Sequence, residues 1–241
     1  MTRSAAPAQE EGYVPSPPPE QMDGDHLSYE KTRRALRDLR RVNRWLWGYP
    51  SVLRSLLPRL NSGQRVLDVG TGSGDVAAAV LQAAAQRGVD LSVIGVDFKL
   101  RHLTVGRSWH PGQLRVVASA DALPFATGAV DHAFSSLFFH HFGSDSNKAI
   151  VGEMQRVASQ GVVVVDLRRS FLLRLTIGPL LRLLGAGSVA RNDGHLSVRC
   201  AWSLAQVRSC QLQGRGQLRR RFPFRFALTL PGAEPPQQTL P

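Results

Sequence analysis

Cysteines, acidic residues and long apolar runs are scarce in this 241-residue sequence. Its two cysteines, Cys200 and Cys210, lie far from any histidine cluster with zinc-ligand spacing, so we expect a reducing, cytoplasmic compartment and no metal site. No apolar run reaches the roughly 18 residues of a membrane-spanning helix. Residues 1–26 lack the apolar core of a secretory signal and are rich in proline, alanine and glutamate, which predicts a disordered leader.

Positive charge, by contrast, is abundant. The chain has 30 basic and 18 acidic residues, a formal net charge of +12. Such a balance is found in proteins that bind nucleic acid or an anionic membrane surface. The arginines are spread along the chain, however, and the groups at residues 33–44 and 215–221 lack the interleaved aromatic side chains on which bases stack. This distribution favours a solvated basic surface and weighs against nucleic acid as the partner.

Short apolar runs alternate with helical patterns over residues 64–167. The expected strands lie at 65–69, 91–96, 114–118, 129–135 and 161–166. Strands that read as continuous apolar runs are buried on both faces, as in a parallel sheet covered by helices. The sequence therefore predicts an α/β fold of the doubly wound kind.

The flanks complete one expected domain over residues 27–230. Residues 27–62 predict two helices, because the apolar positions from 27 to 46 recur every three or four residues. Residues 168–202 predict a short lid over the acceptor region, with a pair of core-packing helices as the alternative. Gly178-Pro179 interrupts its apolar stretch, residues 171–184. A helix capped by Ser203 is expected to reach about residue 212. A strand at 217–221 is expected to form a hairpin, through Phe222-Pro223, with a strand at 222–230. Residues 231–241 are expected to form a loop-like tail.

The segment VLDVGTGSGD at residues 66–75 predicts a ligand-binding turn. Gly70, Gly72 and Gly74 follow a strand, and glycines permit positive φ and a close approach of backbone to ligand. The helix that follows offers free N–H groups at its N-terminus. The third glycine comes one residue earlier than in the dinucleotide fingerprint, and Asp68 places a negative charge before the turn. A cationic ligand group fits this arrangement better than the pyrophosphate of NAD.

Two further carboxylates follow the next two strands. Asp97 ends the second strand, where a carboxylate can accept hydrogen bonds from both hydroxyls of a ribose; a helix cap is the alternative. Asp121 follows the third strand and can accept a hydrogen bond from an exocyclic amine, while Ala122 and Leu123 pack on an adenine face. With Asp68, these residues point to one crevice at the carboxyl edge of the sheet.

Taken together, the motifs resemble those of class I S-adenosylmethionine-dependent methyltransferases. The resemblance rests on VLDVGTGSGD, VIGVD, ADALPF with VDHAFSSLFFHHF, and EMQRVASQGVVVVDL. It is greatest for small-molecule enzymes of the ubiquinone/menaquinone-biosynthesis type. It implies a Rossmann-like sheet of seven mostly parallel strands with the last antiparallel, and S-adenosyl-L-methionine as the cofactor. The cofactor-binding residues that it implies are Asp68, Gly70, Thr71, Gly72, Gly74, Asp97, Phe98, Asp121, Ala122, Leu123 and Ser136.

The flanks resemble a narrower group, the methyltransferases encoded beside type III polyketide synthases. The segments concerned are LRDLRRVNRWLWG and RNDGHLSVRCAWSLAQVR. That group usually has residues closer to SVRRAYTPEEL, whereas this chain has Cys200 and Ser203-Leu204-Ala205. The resemblance implies a phenolic or polyketide-like methyl acceptor.

Candidate residues for the acceptor side come from two segments. His140 and His141 follow the fourth strand, and histidine transfers protons near neutral pH, so either is a candidate base. The alternative is that the pair shapes the cofactor pocket, and the sequence does not rank the two. Arg191, Asp193 and His195, in the expected lid, are candidates for contacting the acceptor, with a surface loop as the alternative.

The glycine spacing and Asp68 disfavour an NAD-binding oxidoreductase, which leaves three functions. The sequence favours methyl transfer to an oxygen or carbon of a small, largely apolar acceptor, either phenolic, polyketide-like or quinone-like, because an apolar lid would exclude water. An RNA or other nucleic-acid methyltransferase would explain the charge, but the fourth strand is not followed by an Asn/Asp-Pro-Pro-Tyr motif. A non-catalytic S-adenosylmethionine-binding protein is the third. Arginines within 171–184 also allow peripheral membrane contact, and the sequence leaves the oligomeric state open.

Overall fold

The computed structural model describes residues 17–24, 26–209 and 216–233. Seven strands form a single sheet: β1 Gln64–Val69, β2 Leu91–Asp97, β3 Leu114–Val117, β4 Val130–Ser136, β5 Ala158–Leu167, β6 Gln217–Arg221 and β7 Arg225–Pro231. Eight α-helices are described with it: α1 Tyr29–Trp45, α2 Gly48–Leu56, α3 Asp75–Ala85, α4 Leu100–Trp109, α5 Ser144–Val157, α6 Phe171–Leu183, α7 Ser188–Cys200 and α8 Leu204–Ser209.

The strand order is β3-β2-β1-β4-β5-β7-β6. Strands β1 to β5 pair in parallel, and β7 is antiparallel to both β5 and β6. The strand order reverses between β1 and β4, which is where open α/β sheets bind ligands beyond the carboxyl ends of their strands. The predicted seven-stranded, mostly parallel α/β sheet is confirmed.

The core has two layers, one on each face of the sheet. Side chains alternate along β5, so that Val162 and Val164 pack in one cluster while Val163 and Val165 pack in the other. All four are at most 2% exposed. This two-sided burial explains why the strand reads as an unbroken run of valines rather than as an alternating pattern.

The N-terminal helices are confirmed, since α1 and α2 occupy the predicted segments and α2 runs into a 3-10 turn at Leu57–Arg59. The prediction that Gly178-Pro179 breaks the apolar stretch was wrong, because α6 continues through Pro179. Its buried face, which includes Ile177 and Leu181, packs in one cluster with Val198 of α7. This packing outweighs the local helix-breaking tendency of proline.

Three further expectations differ in detail. The segment around residues 191–195, given a surface loop as its alternative, lies inside α7. The strand expected from 222 begins at Arg225, and the hairpin turns through Phe222-Pro223 as predicted. The helix that Ser203 caps is described from Leu204 to Ser209, and residues 210–215 lie outside the described residues. The same holds for Cys210 and for residues 234–241 of the tail, whereas Cys200 is buried and free.

The disordered leader predicted over residues 1–26 was wrong for residues 17–24; residues 1–16 and 25 lie outside the described part. A 3-10 turn at Gln21–Asp23 packs against α7. The carboxylate of Asp193 accepts the backbone N–H groups of Gln21 and Met22, at 2.8 and 3.0 Å. Long-range contacts of this kind leave no signature in composition. Within the described residues, no helix is long and apolar enough to cross a membrane.

Candidate active site

Two adjoining cavities open at the carboxyl edge of the sheet. The larger, of about 850 Å³, is lined by the glycine turn after β1 and by the ends of β2, β3 and β4. The smaller, of about 140 Å³, lies among α1, α6, α7 and the β6–β7 hairpin. Both are lined by Met22, Leu39, Leu137 and His141. The two cavities therefore adjoin at these four residues.

The glycine turn after β1 has the backbone shape that the sequence predicts. Gly70 has a φ of +74°, and a Cβ there would lie 2.4 Å from the ring of Phe138. Gly72 has a φ of +55°, and its N–H donates to the carboxylate of Asp97 at 2.8 Å. Gly70, Thr71 and Gly72 line the larger cavity, whereas Gly74 caps α3 beside it. Glycine is needed here for both the left-handed backbone and the close approach.

Asp68 is a buried carboxylate in the wall of the larger cavity. It is 2% exposed and accepts a hydrogen bond from the hydroxyl of Thr71 at 2.7 Å. Burial raises the pKa of Asp68 to about 7, and among the described residues no cation lies within ion-pair distance of it. The buried hydroxyl of Ser136 lines the same cavity without a described hydrogen-bond partner. Both groups suit a ligand with an ammonium group and further polar atoms.

Asp97 ends β2 and carries more contacts than the sequence indicates. Its carboxylate accepts the backbone N–H groups of Gly72 and Lys99, both at 2.8 Å, and lies 3.3 Å from Nδ1 of His102. Burial alone would lower the pKa of His102, but the carboxylate of Asp97 outweighs it and raises that pKa. Asp97 therefore caps the turn into α4 and also lines the larger cavity, where its remaining lone pairs can accept from a ligand.

The structure gives the residues expected on the adenine side different surroundings, and their contact with adenine stays a prediction. Asp121 lies at the larger cavity beside Ser119, and Phe98, 67% exposed, lies at its mouth. Leu123 was wrongly placed: it is 4% exposed, packs in the core, and its N–H donates to Glu153. Ala122 lines neither cavity. Leu123 and Phe125 of ADALPF pack in the core, and residues 118–121 form this part of the cavity wall.

His140 and His141 are adjacent and stacked, with ring centroids 4.5 Å apart, but their surroundings differ. His140 is 4% exposed, with Nδ1 at 2.7 Å from Asp166 and Nε2 at 3.6 Å from Glu20. Burial alone would lower the pKa of His140, but these two carboxylates raise it to about 10. His141 has its Nδ1 at 3.3 Å from Asp23 and is the histidine that lines both cavities. The structure thus distinguishes the surroundings of two histidines that the sequence does not distinguish.

Two carboxylates of this cluster were missed by the sequence reading. Asp166, at the end of β5, accepts the N–H groups of three consecutive residues, Phe138 to His140, besides the imidazole. A carboxylate ending a buried strand was a signal that could have identified it, as it did for Asp97. Glu20 is buried under the histidines although it belongs to the segment interpreted as leader. Nothing in the local sequence marks it.

Glu20, His140 and His141 also form a group of the kind that ligates metal ions. Each offers one ligand atom, and these atoms lie within 4.8 Å of one another. A histidine whose second nitrogen bonds a carboxylate, as His140 bonds Asp166, is common at zinc sites. The expected absence of a metal site therefore stays a prediction.

The three residues that the sequence suggests for contacting the acceptor have different positions in the structure. Asp193 lines the smaller cavity, and burial raises its pKa to about 6. Arg191 donates to the carbonyl of Ala186, and His195 is exposed beside Gly178 of α6. These two line neither cavity. A helix presents only part of its surface to a neighbour, and α7 directs Asp193 inwards.

The central part of the sequence matches a known protein family. A family model described as a methyltransferase domain matches residues 66–161. Residues 66–161 of this chain are therefore similar to a methyltransferase domain. The match begins in β1 and ends in β5, so it includes the glycine turn, Asp97, Asp121 and the histidine pair; Glu20 and Asp166 lie outside it.

Curated relatives support the resemblance to the ubiquinone/menaquinone-biosynthesis type. The ubiquinone/menaquinone biosynthesis C-methyltransferase of Geobacter sp. (strain M21) is 37% identical over 117 residues, 46% of this chain and 48% of that protein. The demethylmenaquinone methyltransferase of Renibacterium salmoninarum is 34% identical over 99 residues, 41% of this chain and 38% of that protein. The chain spans about half the length of the curated relatives it matches, or less.

Solved structures share the fold. A SAM dependent methyltransferase from Aquifex aeolicus aligns with a TM-score of 0.58 at 16% identity, covering 84% of this chain and 97% of that chain. Magnesium protoporphyrin IX methyltransferase from Synechocystis aligns with a TM-score of 0.54 at 14% identity, covering 88% and 91%. At these identities the likeness establishes the fold of the methyltransferase domain.

The cofactor of a class I methyltransferase domain is S-adenosyl-L-methionine, and the larger cavity fits it. An unpaired buried carboxylate, Asp68, suits the ammonium of the methionine part. The carboxylate of Asp97 suits the ribose hydroxyls, and the orphaned hydroxyl of Ser136 is available to a polar ligand atom. The volume of about 850 Å³ lies in the range of pockets for molecules of this size. The contacts of individual residues remain proposals.

We predict that Asp97→Ala weakens S-adenosylmethionine binding by about 1–3 kcal/mol, the usual cost of losing hydrogen bonds to a charged group. Isothermal titration calorimetry measures the change. Asp90→Ala is the matched control, because Asp90 is exposed just before the opposite end of β2 and should leave the affinity unchanged. Equal affinities of Asp97→Ala and wild type would contradict the ribose contact.

We also predict that cofactor affinity falls as the pH drops below about 7. The pKa of Asp68 is about 7 in the unliganded protein, and an ammonium partner favours its ionised form. Below that pH, binding must displace a proton from Asp68, so the affinity should fall by up to about tenfold per pH unit. Calorimetry in buffers of different ionisation enthalpy measures this proton release, which Asp68→Asn should abolish. Proton release that persists in Asp68→Asn would show that another group is responsible.

Proposed function

We propose that this protein transfers the methyl group of S-adenosylmethionine to a carbon or oxygen of a small, largely apolar acceptor with an acidic hydroxyl, of the phenol or quinol type. The observation that carries this proposal is His141, which lines both the cavity that fits the cofactor and the adjoining cavity. The bound cofactor supplies an electrophilic methyl group. The residues of this chain have to position the acceptor, accept its proton and exclude water.

The walls of the smaller cavity support an apolar acceptor. Aliphatic side chains from α1, α6 and α7 cover most of it, among them Leu39, Val42, Leu173, Ile177, Leu181 and Val198. Flat, apolar ring systems bury well against such walls. The curated relatives named above carry quinone names, so a quinol-like acceptor is the first class to test.

His141 is proposed as the base that accepts the acceptor's hydroxyl proton. His140 is unsuited to this role, because a pKa of about 10 keeps its imidazole protonated at neutral pH. We propose that His140 instead positions His141, by stacking on it, and holds Glu20 over the site. Asp23, 3.3 Å from Nδ1 of His141, favours the tautomer in which Nε2 is the proton-accepting nitrogen, and the carboxylate of Glu20 lies 4.0 Å from that Nε2.

Water exclusion is the proposed role of the N-terminal segment. Pro17, Pro19, Met22 and Asp23 line the larger cavity, and Glu20 and Met22 line the smaller one. Asp193 fixes the segment through two backbone N–H groups. A closed, low-dielectric site strengthens every charge interaction with the reacting groups.

The test uses methyl-labelled S-adenosylmethionine with 1,4-dihydroxybenzene, a single-ring quinol with free ring carbons. Wild type should methylate it, and His141→Gln should lower kcat by about 10²–10⁴-fold, the usual contribution of a general base. Cofactor affinity should stay within a few-fold, which calorimetry checks. His195→Gln is the matched control, because that exposed histidine of α7 lines neither cavity. An unchanged kcat in His141→Gln would exclude the proposed base.

A further inference from the structure

A buried arginine lies in the wall of the smaller cavity. Arg225 is the first residue of β7, pairs with Leu167 at the end of β5, and is 3% exposed. Its neighbours in the cavity wall include Leu46, Val42 and Phe224. A guanidinium in such surroundings loses most of its hydration, which costs several kcal/mol unless other groups replace the lost water.

The described residues replace few of the hydrogen bonds that the guanidinium would make with water. Nη1 of Arg225 donates to the carbonyl of Leu46 at 3.2 Å, and the buried Nε has no described partner. No carboxylate of the described residues lies within 4 Å of the guanidinium. Burial lowers the pKa of Arg225 to about 10, with the charge of Asp166 opposing the change, so the group is still a cation at neutral pH.

The stability of the fold does not explain why an unpaired cation lies among aliphatic side chains. Replacement of a buried charge by an apolar residue of similar volume is often neutral or stabilising. A guanidinium also presents five donors in a fixed plane, and a single carbonyl acceptor uses only one of them. The remaining donors suit an oxygen that arrives with a ligand.

We propose that Arg225 binds an anionic oxygen, of the phenolate or enolate type, on an aromatic ring that occupies the smaller cavity. The ring contacts the aliphatic walls, and its charged oxygen completes the hydrogen bonding of the guanidinium. A cavity of about 140 Å³ is close to the roughly 150 Å³ apolar cavity that holds benzene in another protein, so one ring fits. The identification of that ring with the methyl acceptor rests on the proposed function; the binding itself does not.

If Arg225 binds an anionic oxygen, the methyl acceptor must carry such an oxygen. A neutral aromatic ring would contact the aliphatic walls but leave the guanidinium without an anionic partner. The site should therefore bind rings with a charged oxygen in preference to neutral rings. A molecule with two oxygens across one ring could place one oxygen at Arg225 while the rest of the ring extends to His141, because both residues line the same cavity. Arg225 is thus a specificity-determining residue, in contact with substrate but not with the transferred methyl group.

The test is direct binding of two small probes that differ only in the oxygen. 4-Nitrophenol ionises near neutral pH and its phenolate is coloured, and nitrobenzene lacks the hydroxyl. Wild type should bind 4-nitrophenolate at least about tenfold more tightly than nitrobenzene, the effect of a hydrogen bond to a charged group. The absorbance of the bound probe should also show more phenolate than the free probe at the same pH.

Arg225→Met removes the charge and nearly keeps the volume. It should lose the preference for 4-nitrophenolate and the absorbance shift, while its affinity for nitrobenzene stays within about threefold. Arg168→Met is the matched control and should behave as wild type. Arg168 follows β5 and also has a buried Nε without a described partner, but it lines neither cavity.

A wild type without preference for the phenolate, or an Arg225→Met variant that keeps the preference, would overturn the proposal. Thermal melting and S-adenosylmethionine binding verify that each variant is folded. If Arg225→Met does not fold, Arg225→Gln decides, since glutamine can still donate to the carbonyl of Leu46 and carries no charge. Failure of methyl transfer with phenolate binding intact would count against the proposed function alone.

Discussion

The buried carboxylate of Asp166 is the group on which the candidate active site depends. It ends β5, is 1% exposed, and accepts the N–H groups of three residues that follow β4 as well as the imidazole of His140. Burial alone would raise the pKa of Asp166, but the charge and hydrogen bond of His140 lower it. Through His140 the carboxylate reaches Glu20, so one group joins the sheet to the N-terminal segment that covers the cavities. Removing one partner from such a buried pair usually costs about 3–5 kcal/mol.

The same carboxylate holds a strained backbone in place. Leu137, between β4 and the histidines, has a φ of 55°, a region that costs a non-glycine residue roughly 1–3 kcal/mol. Its N–H donates to the carbonyl of Val165, and the next three N–H groups donate to Asp166. This conformation places Leu137 and His141 at the junction of the two cavities, with Phe138 against Gly70. One of the two described non-glycine residues with a positive φ thus lies where the two proposed ligands meet; the other, Trp47, precedes α2.

The sequence predicts those parts of the protein whose structure is determined by the local order of residues. The strands, the glycine turn and the acidic residues at strand ends follow from periodicity, backbone freedom and position at the sheet edge. Leu123 was misplaced because an apolar residue after a strand can serve either a ligand or the core, and only packing decides. Glu20 and Arg225 depend on contacts between distant parts of the chain. The break expected in α6 failed for the same reason, since its packing with α7 outweighs a local tendency.

The central claim is that the two adjoining cavities bring S-adenosylmethionine to a small apolar acceptor. Its most direct test combines the purified protein with methyl-labelled S-adenosylmethionine and a cell extract, followed by separation of organic-soluble, nucleic-acid and protein fractions. The account predicts label in the organic-soluble fraction, in a compound with an acidic hydroxyl or its methyl ether. Label in the nucleic-acid fraction would contradict the account, and the net charge of +12 would then indicate the true partner.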